Sequence, residues 1–304
     1  MSGPGISALI QMGLNPMKPL KSLRHKFEYF AFLTVAAAMR MLPLEFASHW
    51  SGRIWRLLAP FLHRHRRALD NLALAFPEKT PAELEEIARD MWENLGRTFA
   101  EFFHIDRIFN SGRIEFESRE LVESLRGHGR GVACGLHLGN WEILTQAGML
   151  MDWRPAGVYQ KIANPFVDRY VSAMRAPYYP GGLMEKSPRA AVTLLRYARE
   201  GGTVALLADH RESRGIASPF FGRSAPSNPF PALVARSVDA PLYVFRAKRL
   251  NGVRFSIRIT QVPVPRTEDR DADVAVATRN LQSILELMVR DAPDQWMWIH
   301  RRWG

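Results

Sequence analysis

Cysteine is almost absent: Cys134 stands alone among 304 residues. A single thiol excludes an intrachain disulfide and any zinc site built from several cysteines, and it suits a reducing compartment. Long apolar runs are missing as well. The uncharged stretch at residues 29–39 covers 11 residues, where a spanning helix needs about 20. No Ala-x-Ala site follows the basic start, so no cleaved signal peptide is expected. There is no glycine-rich phosphate loop, no internal repeat, no low-complexity tract and no nucleophilic-serine motif. Negative charge is scarce too, with 30 acidic against 41 basic side chains and a formal net charge of +11. What remains is ordinary: 47% apolar and 23% charged residues make a globular composition, and the length is ample for a buried core.

The positive charge implies an anionic partner, whether nucleic acid, a phospholipid surface, a phosphorylated substrate or an acidic protein. Its position narrows the choice. Residues 1–67 hold ten Lys and Arg, from Lys18 to Arg67, against only Glu28 and Glu45. That segment therefore carries +8, and the other 237 residues are nearly neutral. The same segment is greasy. Residues 46–62 mix Phe46, Trp50, Ile54, Trp55, Leu57, Leu58, Phe61 and Leu62 with Arg53 and Arg56, a composition that suits an interfacial helix. Residues 1–67 are thus expected to form a membrane-anchoring segment, and residues 68–304 a separate domain. The alternatives are a single spanning helix or two ordinary core helices with solvated arginines.

Thr80, Pro81 and Glu83 spell a capping box. Leu84, Ile87, Met91, Leu95, Phe99 and Phe102 then recur at helical spacing, so a helix is expected over 80–104, serving the core. Beyond residue 113, short apolar runs alternate with helical patterns. Strands are expected at 131–136, 155–159, 203–208, 242–247 and 253–262, the last two joined by an Asn251-Gly252 turn. Helices are expected at 188–199, 229–238 and 271–290. This alternation predicts an α/β fold with a mixed sheet flanked by helices.

The strand at 131–136 runs into His137-Leu138-Gly139-Asn140-Trp141-Glu142, and strand ends are where α/β folds place their sites. His137 is suited to take a proton from a hydroxyl while a carboxylate accepts its other ring N–H. Glu142 is the expected partner, provided Gly139-Asn140 turn the chain between them. A purely structural His–carboxylate pair is the competing reading. Cys134, inside the apolar strand, is read as packing, and Trp141 likewise.

The string resembles the His-x4-Asp/Glu motif of bacterial lipid A biosynthesis acyltransferases, within the lysophospholipid-acyltransferase-like superfamily. Asn164-Pro165 with Asp168 and Arg175, Ala208-Asp209-His210, Phe220-Phe221-Gly222 and the terminal Gln295 to Trp303 follow in the same order. The resemblance runs from about residue 25 to the chain end.

The resemblance implies transfer of a fatty acyl chain from an acyl carrier protein thioester to a hydroxyl of a lipid A precursor. It implies a late secondary acylation at the cytoplasmic face of the bacterial inner membrane, with no metal or organic cofactor. His137 would be the general base with Glu142, and Arg175 and Asp209 would lie nearby to bind substrate or orient the site. The tetrahedral intermediate needs hydrogen-bond donors, for which Asn140, the backbone N–H groups of Gly139 and Asn140, and Arg175 are candidates. The Gly-Asn-Trp interior of the motif also resembles relatives that acylate other glycolipids, and a lysophospholipid is a further alternative acceptor. A basic nucleic-acid-binding protein is disfavoured because no recognition motif accompanies the charge. A silent membrane scaffold would tolerate loss of His137.

Overall fold

The computed structural model describes residues 19–303. Lys18 and the rest of the first 18 residues of the expected anchor lie outside the described residues. Four helices come first: α1 (Pro19–Met41), α2 (Leu44–Leu58), α3 (His63–Ala75) and α4 (Pro81–Phe102). The α4 start is capped as its sequence predicts, with Thr80 and Glu83 exchanging side-chain and backbone hydrogen bonds. Helix α2 lies along α4 at close range because both helices carry glycine at the contact. A Cβ on Gly96 would come within 2.7 Å of the Ser51 carbonyl oxygen, and one on Gly52 within 2.7 Å of Arg97 Cγ. The boundary expected at residue 67 falls inside α3, whose Ala68 and Leu72 share the main core with the sheet.

Then follow α5 (Ile105–Phe109), β1 (Ile114–Phe116), α6 (Arg119–Leu125), β2 (Gly131–Gly135), α7 (Leu144–Met149), β3 (Pro155–Tyr159), α8 (Pro165–Arg175), β4 (Gly182–Glu185), α9 (Pro188–Arg199) and β5 (Thr203–Leu207). The chain continues with a hairpin of β6 (Arg211–Phe220) and β7 (Arg223–Ser227), then α10 (Phe230–Ser237), β8 (Leu242–Arg249), β9 (Phe255–Val262) and α11 (Arg270–Asp291). Seven strands form one sheet in the order β1-β9-β8-β2-β5-β3-β4. All neighbours are parallel except the β8–β9 hairpin. The sheet is therefore mixed, as the alternation predicts. The β6–β7 hairpin stands apart, and the Phe220-Phe221-Gly222 motif makes its turn, with positive φ at Phe221 and Gly222.

Strand β2 lies at the centre, between β8 and β5, and all three run parallel. Their C-terminal ends therefore open on one edge of the sheet, the edge where α/β folds bind ligands. His137 follows β2, Asp209 and His210 follow β5, and Arg249 ends β8.

The N-terminal helices present an unusual surface. Leu23, Phe27, Phe30 and Val35 of α1 are exposed, as are Phe46, Trp50, Ile54, Leu57 and Leu58 of α2, with Phe61 and Leu62 beyond it. Phe27 is 74% and Phe61 86% exposed. The spacing puts each set on one helical stripe. The opposite stripe of α2, with Ala47, Ser48, Ser51 and Gly52, is buried. Neither α1 nor any other helix among the described residues is long and apolar enough to cross a membrane. The local charge surplus is partly offset: Arg40 pairs with Asp106, and Arg56 with Glu86 and Asp90 of α4.

Candidate active site

His137 leaves the end of β2 and is fixed from below by Asp209. The His137 backbone N–H donates to Asp209 Oδ2 at 2.8 Å, and Nδ1 lies 2.9 Å from Oδ1. Trp296 Nε1 donates to the same carboxylate at 2.8 Å. Asp209 is 1% exposed. Burial would raise its pKa, but the charge and hydrogen bonds of His137, with His210 adding to them, hold it well below the usual carboxylate range. An ionised carboxylate only accepts, so the Nδ1–H tautomer is the one that fits, and Nε2 carries the free lone pair. This is the geometry of an oriented general base.

Glu142 is not that orienting group. The expected His137–Glu142 pair is replaced by His137–Asp209, and Glu142 instead accepts from Arg175. Arg175 Nε reaches Glu142 Oε2 at 2.9 Å while Nη2 bonds the other oxygen, and Trp141 Nε1 donates at 3.2 Å. The reason is local. After Gly139 the chain enters a 3-10 turn at Trp141–Ile143, which carries Glu142 toward α8 and its last residue, Arg175. Burial disfavours the Arg175 charge, but Glu142 more than compensates and its pKa is raised.

The turn itself is tightly specified. Gly139 has φ +60°, and a Cβ there would lie 1.7 Å from the Ala247 carbonyl oxygen. The Gly139 N–H donates to the Gln295 carbonyl, so this expected oxyanion donor is already engaged. Asn140 is 1% exposed. Its Oδ1 caps the Glu142 N–H at 3.1 Å, and its Nδ2 donates to Glu101 Oε2 at 2.8 Å. The expected substrate-binding role of Asn140 is thus replaced by one within the loop's own scaffold. Arg175, another of the expected donors, lines the cavity with N–H groups beyond those given to Glu142.

Glu101 belongs to α4, where the apolar spacing alone predicts core packing. It is 0% exposed and forms a two-pronged pair with Arg249 at the end of β8. It also accepts from Ser48 of α2 at 2.6 Å. Asn94 and Thr98, two turns and one turn earlier, both donate to the Gly139 carbonyl, at 3.0 and 2.9 Å. One face of α4 therefore clamps the His137–Glu142 loop. The signal for it in the sequence is a carboxylate between Phe99 and Phe102.

Two further imidazoles complete the site. The His210 ring stacks on His137 at 3.9 Å between centroids, tilted by 3°, and His300 packs on His210, also at 3.9 Å. Burial pushes His210 down to about 3, with Asp209 opposing and His137, His300 and Arg302 adding to the fall. His300 falls to about 4 through burial and the charges of His137, Arg64 and Arg67, against Asp209. Both are neutral at neutral pH, so His137 stacks on an uncharged, polarisable face. His137, Asp209 and His210 offer ligand atoms within 4.8 Å of one another. The His137 and His210 rings are parallel to within 3°, and His137 Nδ1 is spent on Asp209, so the trio forms a hydrogen-bonded, stacked group.

His137, Trp141, Glu142, Arg175, His210 and His300 line the mouth of a cavity of about 580 Å³. Its deeper wall is apolar, with Cys134, Leu144, Val158, Leu207 and Phe245, and it continues to Trp153 and Thr203 at the far ends of the strands. At about 3.3 Å per residue, the five-residue register of β2 on β5 makes this run roughly 13 Å deep. Burial pushes the Cys134 thiol up, away from a nucleophilic thiolate. The oriented base thus stands at one end of a cavity whose run along the strands is largely apolar.

The chain is 24% identical over 297 residues to a lipid A biosynthesis myristoyltransferase of Escherichia coli K12, covering 92% of this chain and 88% of that one. It is similar to two lipid A biosynthesis acyltransferases of Shigella flexneri. Acyltransferase 1 is 24% identical over 297 residues, with 92% and 88% of the two chains covered, and acyltransferase 2 is 22% identical over 287 residues, with 90% and 88% covered. The family model for bacterial lipid A biosynthesis acyltransferases matches residues 17–304, and the chain belongs to that family of O-acyltransferases.

Proposed function

We propose that the protein transfers a fatty acyl chain from an acyl carrier protein thioester to a hydroxyl of a lipid A precursor, with His137 as general base and Asp209 as its partner. The observation that carries this reading is the His137–Asp209 hydrogen bond at the mouth of an apolar cavity. The acyl chain occupies the cavity, and its thioester carbonyl sits beside Nε2. His137 takes the proton of the acceptor hydroxyl as that oxygen attacks the carbonyl carbon. Asp209 stabilises the imidazolium that forms. The C–S bond then breaks, the carbonyl re-forms as an ester, and His137 returns the proton to the leaving thiolate. Arg175, held by Glu142, supplies N–H donors and positive charge to the oxyanion.

The exposed stripes of α1 and α2 are consistent with a protein that lies on the cytoplasmic face of the inner membrane, where its lipid acceptor resides. Apolar side chains in water cost about 25 cal/mol per Å², and a lipid surface removes that cost. Basic residues beside them favour an anionic leaflet.

The test is transfer from acyl carrier protein to a lipid A precursor by purified enzyme, with the products identified by mass spectrometry. His137→Ala should lower turnover by about 10²–10⁴-fold, and Asp209→Asn by about 10³–10⁴-fold. Both variants should keep the wild-type circular dichroism. Near-wild-type turnover in either overturns the mechanism.

A further inference from the structure

A second concavity, of about 400 Å³, opens where the first turns of α3 meet the end of the chain. It is lined by His63, Arg66, Arg67, Asp70, Asn71, Arg301 and Trp303. Three guanidinium groups and one imidazole face a single carboxylate. Arg66 and Arg301 are exposed. Among the described residues, no carboxylate lies within ion-pair distance of either, whereas Arg40 and Arg175 each hold one and Arg56 holds two at close range. Unpaired arginines that converge on a hollow suit an anion with several oxygens, because the planar fork bonds two of them at once.

Its place in the molecule says which anion. The residues just before His63 are the exposed Leu57, Leu58, Phe61 and Leu62. If this apolar rim rests in a lipid surface, the basic hollow one turn further lies at headgroup depth. The hollow is also the outer side of the segment that closes the reaction cavity. Asn71 Nδ2 donates to the carbonyls of Trp298 and His300, both at 2.7 Å, and Arg67 Nη1 to that of Ile299 at 3.4 Å. The His300 side chain lines the reaction cavity. Arg64 and Arg67 are near enough to depress His300 by their charge.

We propose that this hollow binds a phosphate monoester on the headgroup of the acceptor lipid, and so delivers the acceptor to the mouth of the cavity from the membrane side. The inference rests on the acyl-transfer reading of the cavity, and it adds where the acceptor is held. A monoester presents more free oxygens and more charge than a diester, so the site should prefer the first to the second.

Binding is the readout, with full-length protein and vesicles of phosphatidylcholine doped with phosphatidic acid or with phosphatidylglycerol at matched surface charge. The wild type should bind the phosphatidic acid vesicles more tightly. Arg66→Ser with Arg301→Ser should lower the ratio of phosphatidic acid to phosphatidylglycerol affinity by about tenfold, while both affinities also fall by the general attraction of two surface cations to an anionic membrane. Inorganic phosphate at the same concentration as the lipid phosphate should displace little protein, because it lacks the apolar insertion. No monoester preference in the wild type, or an equal preference in the double variant, overturns the proposal. So does a double variant that loses affinity only for acyl carrier protein, which would mark the hollow as a protein dock. Displacement by free phosphate would also overturn the lipid source. His137→Ala must keep the monoester preference. Full turnover in that variant would refute the reaction while leaving this site standing, and an absent preference beside normal His137 dependence would do the reverse.

Discussion

The sheet edge and the N-terminal face treat polar and apolar groups in opposite ways. At the sheet edge, the charged side chains around His137 are buried or half-buried and paired: Asp209 with His137, Glu142 with Arg175, Glu101 with Arg249. Across α1, α2 and the start of α3, phenylalanines and leucines stand in solvent and several cations have no carboxylate near them. The contrast separates two tasks. A reacting centre needs groups whose orientation is settled before substrate arrives. A docking surface needs groups left unsatisfied until the partner satisfies them.

Two perturbations sharpen that comparison. The larger acts on the face. Phe27, Phe30 and Phe61 replaced together by Ser should lower affinity for anionic vesicles by about 10³-fold or more, since each buried Phe is worth about 1.5–3 kcal/mol and about 1.4 kcal/mol is tenfold. Co-sedimentation measures it, and melting should change little because these rings touch water. Unaltered sedimentation would mean that the stripes serve another purpose. The smaller acts on the site. His210 and His300 have depressed pKa values, about 3 and 4. In that window the unfolded chain binds more protons than the folded one, so stability is complete above about pH 6.5 and is lost as pH falls toward about 3. The melting temperature should decline over that range, and His210→Phe should flatten the decline. An identical pH profile in His210→Phe would remove His210 from the account.

Much of the scaffold was legible because its signals are local. The Thr80–Glu83 box, the apolar runs at 131–136 and 203–208 and the Asn251-Gly252 turn each lie within a few residues of the structure they determine. Helix α4, β2, β5 and the β8–β9 hairpin appear where those signals put them. The site was legible only in part. His137, Glu142, Arg175 and Asp209 do gather at one sheet edge, but the pairing among them depends on which strands are neighbours. Asp209 is 72 residues from His137, and only the β2–β5 register brings them together. Glu142 is close in sequence and so looks like the natural partner, until the 3-10 turn carries it to Arg175. Asn140 reads as a substrate donor until Glu101 is seen below it. Glu101 itself was hidden because a helical stripe of apolar residues draws attention away from the charge inside it.

The central claim is that Asp209, and not Glu142, holds the His137 ring. Nitrogen-15 and proton NMR of the His137 imidazole tests it most directly, in the wild type and in the Asp209→Asn and Glu142→Gln variants. The wild type should show a protonated Nδ1 with a strongly downfield proton and an unprotonated Nε2. That signal should persist in Glu142→Gln and disappear in Asp209→Asn. Loss of the signal in Glu142→Gln with its retention in Asp209→Asn would contradict the account.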